Sequence, residues 1–228
     1  MKITTKNVAR FGLLTALALV LGYLDKANPL SAFLGGAIPG IKLGLANTVL
    51  LYAIYLMNWQ SAVVLMLVKV VLSGFMFGSV SAILYSLSGG ILSLLVMLAV
   101  KKAPDLGALA IGILSLISDA WLLMRYPSPR GQMLWCVILI TLAALAGFAA
   151  FALIRRDRKR SVLGVSLAGA VAHNVGQIFA ASLTFHTPQL LYTYLPVLVG
   201  IGAAVGCLTG LVARLVFRAL KATGETIS

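Results

Sequence analysis

Apolar residues fill this chain in long runs, broken by short polar or glycine- and proline-containing punctuation, without the strict alternation of half-buried strands. Eight runs read as helices: Val8 to Leu24, Leu43 to Met57, Ala62 to Phe77, Val80 to Val100, Leu106 to Met124, Met133 to Ile154, Leu163 to Phe185 and Leu191 to Phe217. Crossing a hydrocarbon core untilted takes roughly 20 residues, so the longer runs are candidate spans and the shorter ones must be tilted or broken. The pattern predicts an all-α polytopic membrane protein. Between the first two runs, Ala27 to Ile41 is an uncharged segment containing glycine and proline. It is too irregular for a helix and too apolar for a solvated loop, and is expected to fold back as a lid over the outer mouth of the bundle.

Composition agrees with that class and adds little to it. The 228 residues are 61% hydrophobic and 10% charged, against about one quarter charged in soluble domains, and mean hydropathy is +1.05. No stretch is polar enough for a separate soluble domain, so residues 1–228 are expected to form one membrane domain. Cys136 and Cys207 are isolated from each other and imply neither a disulfide nor a metal site.

Charge changes the picture through its position. A net +13 would point to nucleic acid in a soluble chain; here it reports topology and no nucleic-acid partner is expected. With a cytoplasmic N-terminus and eight spans, Lys2, Lys6, Arg10, Lys101, Lys102, the five basic residues of Arg155 to Arg160, Arg214, Arg218 and Lys221 all fall inside. Both termini are therefore expected in the cytoplasm, in the cytoplasmic membrane. Trp121, Tyr126, Trp135, Tyr23, Tyr192 and Tyr194 sit where an outer interfacial belt would lie.

Polar residues inside apolar runs are the candidate chemistry. Ser161 to Ala213 contains no Asp, Glu, Lys or Arg over 53 residues, yet it holds His173, Asn174 and Gln177. At spacings of three and four these share one helical side and are expected to converge on a ligand, or else to bond neighbouring helices. Lys69 lies mid-span, where an ammonium costs about 2.5 to 3.5 kcal/mol. An anionic ligand, backbone carbonyls or Asp119 could offset that cost, or the side chain could snorkel to an interface. Lys42 precedes the second helix, where an anion would also meet the helix N-terminus. Gly202, Gly206 and Gly210, Gly74 and Gly78, and Gly12 with Ala16 mark close helix contacts, either within the bundle or with a partner.

Several activities are excluded. No G-x-x-x-x-G-K-[ST] loop is present, so any transport energy comes from elsewhere. The five acids, Asp25, Asp105, Asp119, Asp157 and Glu225, are never within four positions of each other. No paired carboxylates for Mg²⁺ and no metal or cofactor motif follows.

Four segments carry a resemblance: P-G-I-K-L-G-L-A-N at Pro39 to Asn47, L-Y-S-L-S-G-G at Leu84 to Gly90, G-V-S-L-A-G-A-V-A-H-N-V-G-Q at Gly164 to Gln177, and Y-L-P at Tyr194 to Pro196. In these the chain resembles the bacterial Gx transporter family, often labelled heptaprenyl diphosphate synthase component I. It is similar, more distantly, to the substrate-binding S components of energy-coupling factor transporters, which have six helices and whose first helix meets a coupling subunit through small residues. The resemblance implies a six-helix core from residues 1–102 and 161–228, with 103–160 as an inserted transmembrane hairpin. The polar residues within the apolar runs give the expected substrate site: Lys42, Asn47, Lys69, His173, Asn174 and Gln177. At Lys69 the family pattern more commonly has Arg, whose bidentate grip on an anion lysine replaces with a point charge.

The expected activity is uptake of a small, anionic organic compound with a separate energising partner, such as a coupling subunit with its ATPases. The alternative is a non-transporting membrane subunit of a heptaprenyl diphosphate or quinone-linked complex. Catalysis is not expected, because prenyl chain elongation uses aspartate-rich motifs that this sequence lacks.

Overall fold

The computed structural model of the chain describes residues 5–27, 44–77, 80–102, 162–187 and 189–224. They form six α-helices: α1 (Thr5–Ala27), α2 (Thr48–Leu56), α3 (Trp59–Phe77), α4 (Val80–Lys102), α5 (Val162–Thr184) and α6 (Gln189–Ala222), with a 3-10 turn at Leu45–Asn47 leading into α2. No strand occurs among the described residues. All but α2 are long and apolar enough to cross a membrane, which points to a membrane protein. The expected spans Leu106 to Met124 and Met133 to Ile154, the hairpin expected at 103–160, nearly all of the expected lid, and Lys42 lie outside the described residues.

Local chemistry sets the helix ends. The Asn58 side chain accepts the Ser61 N–H at 2.8 Å, capping the start of α3. At the other end of the bundle, His186 takes a left-handed φ of 50°. The Thr187 N–H then reaches the Ser182 carbonyl at 3.1 Å, closing a Schellman-type turn that stops α5 and lets α6 return beside it.

The run at Leu43 to Met57 departs from expectation. With its 3-10 turn the helix covers Leu45–Leu56, about 18 Å at 1.5 Å per residue, against a hydrocarbon core about 30 Å thick. Val49 through Tyr55 are all buried, leaving no lipid-facing side. Its apolar character is that of an interior helix buried all round rather than that of a span.

The long helices wrap this core. α5 is central, packed along α4 on one side and α6 on the other, while α1 lies against α3 and the start of α2. One apolar cluster joins Leu50, Leu51, Tyr52 and Tyr55 of α2 to Leu14, Leu65, Met97, Val165 and Phe217. A smaller one, at the opposite end of α5, joins Tyr85, Ile178, Ala181 and Leu198. The larger cluster ends on positive charge: Arg10 donates to the Leu56 carbonyl at 3.3 Å and Lys101 to the Ile54 carbonyl at 2.9 Å. Both thus satisfy carbonyls that the C-terminus of α2 leaves without helical partners. Lys101 also lies 4.6 Å above the Tyr55 ring.

Glycines let α5 sit this close to its neighbours. A Cβ on Gly176 would come within 2.8 Å of both the Gly89 Cα and the Ser88 carbonyl oxygen of α4. On α6, a Cβ at Gly206 would lie 2.7 Å from the Leu167 Cα, and one at Gly210 3.0 Å from the Leu163 Cα. The four-residue glycine repeat therefore serves contact within the chain. Gly12 of α1 differs: among the described residues nothing lies within 4 Å of its Cβ position.

Candidate functional site

The site begins where the chain re-enters the bundle at Gly44. Its φ of 91° and ψ of 18° belong to the left-handed region, which costs glycine little and other residues more. Space is short as well, since a Cβ there would stand 3.1 Å from the His173 Cδ2. The Gly44 N–H donates to the Asp25 Oδ2 at 2.8 Å. One carboxylate thus ties the C-terminal end of α1 to the start of the 3-10 turn.

Asp25, Gly44, Lys69, Ser73, Ser86 and His173 line a single cavity among α1, the 3-10 turn, α3, α4 and α5. Asp25 is 1%, His173 3% and Lys69 7% exposed. Three ionisable groups from three different helices therefore converge inside the bundle, in the half away from Arg10 and Lys101. The cavity is tight, about 10 Å³, room for about one water. A larger ligand requires the lining side chains to move.

The remaining expected residues divide. Gln177 Nε2 contacts the His173 Nε2, one turn along α5. Gly89 makes room for both, since a Cβ there would fall 2.8 Å from the His173 Nδ1 and 2.9 Å from the Gln177 Cγ. Asn174 faces two ways: its Nδ2 donates to the Leu198 carbonyl of α6 at 2.7 Å, over the Gly202 backbone, while its Oδ1 lies 3.9 Å from the Cβ position of Gly44. Residues 173 and 174 are about 100° apart around a helix, so the expected three-residue convergence is a His173–Gln177 pair beside the cavity and an Asn174 tie to α6. Asn47 is a bridge as well. Its Nδ2 donates to the Ser93 Oγ and, at 3.3 Å, to the Gly169 carbonyl, which also accepts the Ser93 hydroxyl at 2.8 Å. The Oδ1 atoms of Asn47 and Asn174 and the Tyr85 hydroxyl find no hydrogen-bond partner among the described residues.

The carboxylate nearest to Lys69 in the described fold was not among the partners considered for it by name. Asp119, one partner considered for it, lies outside the described residues, whereas Asp25 shares its cavity. Sequence gave one signal for Asp25, an acid at the end of an apolar run, but that is also where an interfacial carboxylate sits. Ser73 and Ser86 gave none, because a serine in a membrane helix usually bonds its own backbone. Among the described residues no group of three or more His, Cys, Asp or Glu could hold a metal ion.

The family model for heptaprenyl diphosphate synthase component I matches residues 14–122 and 128–216. The matched residues include the cavity groups Asp25, Lys69 and His173, and they cover all of 103–160 except 123–127. No curated protein and no solved structure matches the chain. With its matched segments spanning nearly the whole sequence, the chain belongs to the heptaprenyl diphosphate synthase component I family.

Proposed function

We propose that this protein is a membrane-embedded binding and transport protein that takes up a small polar organic compound through the cavity holding Asp25, Lys69 and His173. The observation that carries this reading is the burial of those three ionisable side chains on one cavity in an otherwise apolar bundle. Ionisable groups at membrane depth are costly and mark substrate or ion paths. Lys69, with Lys42 beyond the described residues, attracts the anionic part of the compound. His173 and Gln177 supply hydrogen bonds, and Asn47 and Asn174 hold α5 in register with its neighbours. The cavity lies away from the basic end, so a cytoplasmic basic end would make it open outward. A separate energising partner, a coupling subunit with ATPases, then drives release, because the chain has no nucleotide-binding loop.

Ligand retained by the purified full chain, identified by mass spectrometry, tests the reading. Loss of that ligand in His173→Ala and Lys69→Ala is expected, and full retention in both folded variants would sink the site assignment.

The family's description favours a second reading: a non-transporting membrane subunit of a heptaprenyl diphosphate synthase complex. Purification from the native membrane separates the two. An ATPase pair with a coupling subunit supports transport, and a soluble prenyl synthase supports the subunit role.

A further inference from the structure

Asn174 holds an oxygen that the fold positions without giving it a donor. The residue is 1% exposed, and its Oδ1 finds no hydrogen-bond partner among the described residues. The two ends of the amide are not interchangeable. Nδ2 donates to the Leu198 carbonyl at 2.7 Å, and a flip would set Oδ1 against that carbonyl, which can only accept. Gly202 keeps room for the Nδ2 end, since a Cβ there would stand 2.6 Å from it.

That oxygen lies beside the cavity. It is 3.9 Å from the Cβ position of Gly44, and the same position is 3.1 Å from the His173 Cδ2. Gly44 and His173 both line the cavity. The side chain that Gly44 lacks thus leaves a space bounded by an imidazole ring and an amide oxygen. A buried acceptor without a donor costs the full desolvation of that group. A hydroxyl or amino group would supply the donor, and either is about the size of the one water for which the cavity has room. The Asn47 Oδ1 and the Tyr85 hydroxyl are also without partners among the described residues. Asn47, however, is turned to Ser93 and Gly169, and Tyr85 belongs to the apolar cluster with Ile178 and Leu198.

We propose that the Asn174 Oδ1 accepts a hydrogen bond from the transported compound, so that the site selects molecules carrying a hydroxyl or N–H group beside their anionic group. This rests on the reading of the cavity as a substrate site and adds what the substrate must carry. A site built to hydrogen-bond a substrate group rejects the analogue that lacks it, because the site's own polar atom is then left buried and unpaired. Asparagine suits both tasks at this position. Its Nδ2 ties α5 to α6, and its Oδ1 receives the compound.

The test uses the full chain in nanodiscs and two series of probes matched in their anion: acetate, glycolate and glycine, then methylphosphonate, hydroxymethylphosphonate and aminomethylphosphonate. In each series the first member has no donor beside the anion, the second adds a hydroxyl and the third an ammonium. Binding is read by calorimetry. In at least one series a donor-bearing member should bind about ten-fold or more tighter than the first, and the two arms show which donor the site takes. Asn174→Leu also removes the tie to Leu198, so the readout in that variant is the affinity ratio within a series, which a loss of helix packing alone does not move. That ratio should fall to about one. The wild-type ratio decides even if the variant does not fold. Equal or weaker binding of the donor-bearing members in both series overturns the donor contact and leaves the site standing. A ratio that persists in folded Asn174→Leu overturns the assignment to Asn174. Failure of every probe to bind overturns the substrate site and the donor contact with it.

Discussion

α1 and α5 are both apolar helices of 23 residues, yet they have opposite fates. In the most apolar 18-residue stretch of each, 78% of α5 residues are buried and 17% of α1 residues are. Length and hydropathy select both for the membrane but cannot say which one faces lipid. The difference lies in small and polar residues. α5 carries Gly164, Gly169 and Gly176 together with His173, Asn174 and Gln177, all buried. α1 presents Val8, Leu13, Leu17, Val20 and Leu24 outward and turns in mainly Leu14, Ala18, Gly22 and Asp25. In hydrocarbon, burial follows close backbone approach and hydrogen bonding, since lipid is as apolar as leucine.

Substitutions at matched positions probe that contrast, and the largest effect is expected at the charge shared between the two sides. Lys69→Met should cost about 3 kcal/mol, the order found when one member of a buried charge set is removed. Asp25→Asn in the same chain should return part of it. Thermal unfolding of the two single variants and the double variant measures the coupling, and additive losses would show that the two groups act independently.

A smaller loss is expected at the α4–α5 crossing. Gly176→Ala places a Cβ against the Gly89 backbone, where no side-chain rotation relieves it, and should cost about 2 kcal/mol. The expected readout is a lower midpoint in detergent and a reduced folded yield. Gly202→Ala should cost less, about 1 kcal/mol, because its nearest contact is the movable end of Asn174. The control is on α1: Gly12→Ala meets no neighbour among the described residues and should shift stability by less than about 0.5 kcal/mol. A loss at Gly12 as large as that at Gly176 would remove the distinction between the two helices.

Part of the site was legible from residue type alone. His173, Gln177 and Lys69 stand out because imidazole, amide and ammonium groups are conspicuous in apolar runs, and all three lie at or beside one cavity. Asn47 and Asn174 carry the same signal, yet their side chains bond to Gly169 and Leu198 and hold helices together. An amide in a membrane helix can bond a ligand or a backbone carbonyl, and sequence spacing does not distinguish these. Asp25 was given no role from sequence, since a carboxylate at a helix end is unremarkable until the chain returns through Gly44 to donate to it.

By itself, the sequence determined the class of this protein. Runs of apolar residues have no stable home except a membrane or a core, and their positive flanks predicted a common basic end. Arg10 and Lys101 do meet there, at the C-terminus of α2. Only the tertiary structure decided that α2 is an interior helix rather than a span, because apolarity is the same for both and only length and surrounding helices differ. It also decided that Lys69 and Asp25, 44 positions apart in the sequence, share one cavity. That juxtaposition depends on α1 and α3 lying side by side, a packing that no local pattern of either helix encodes.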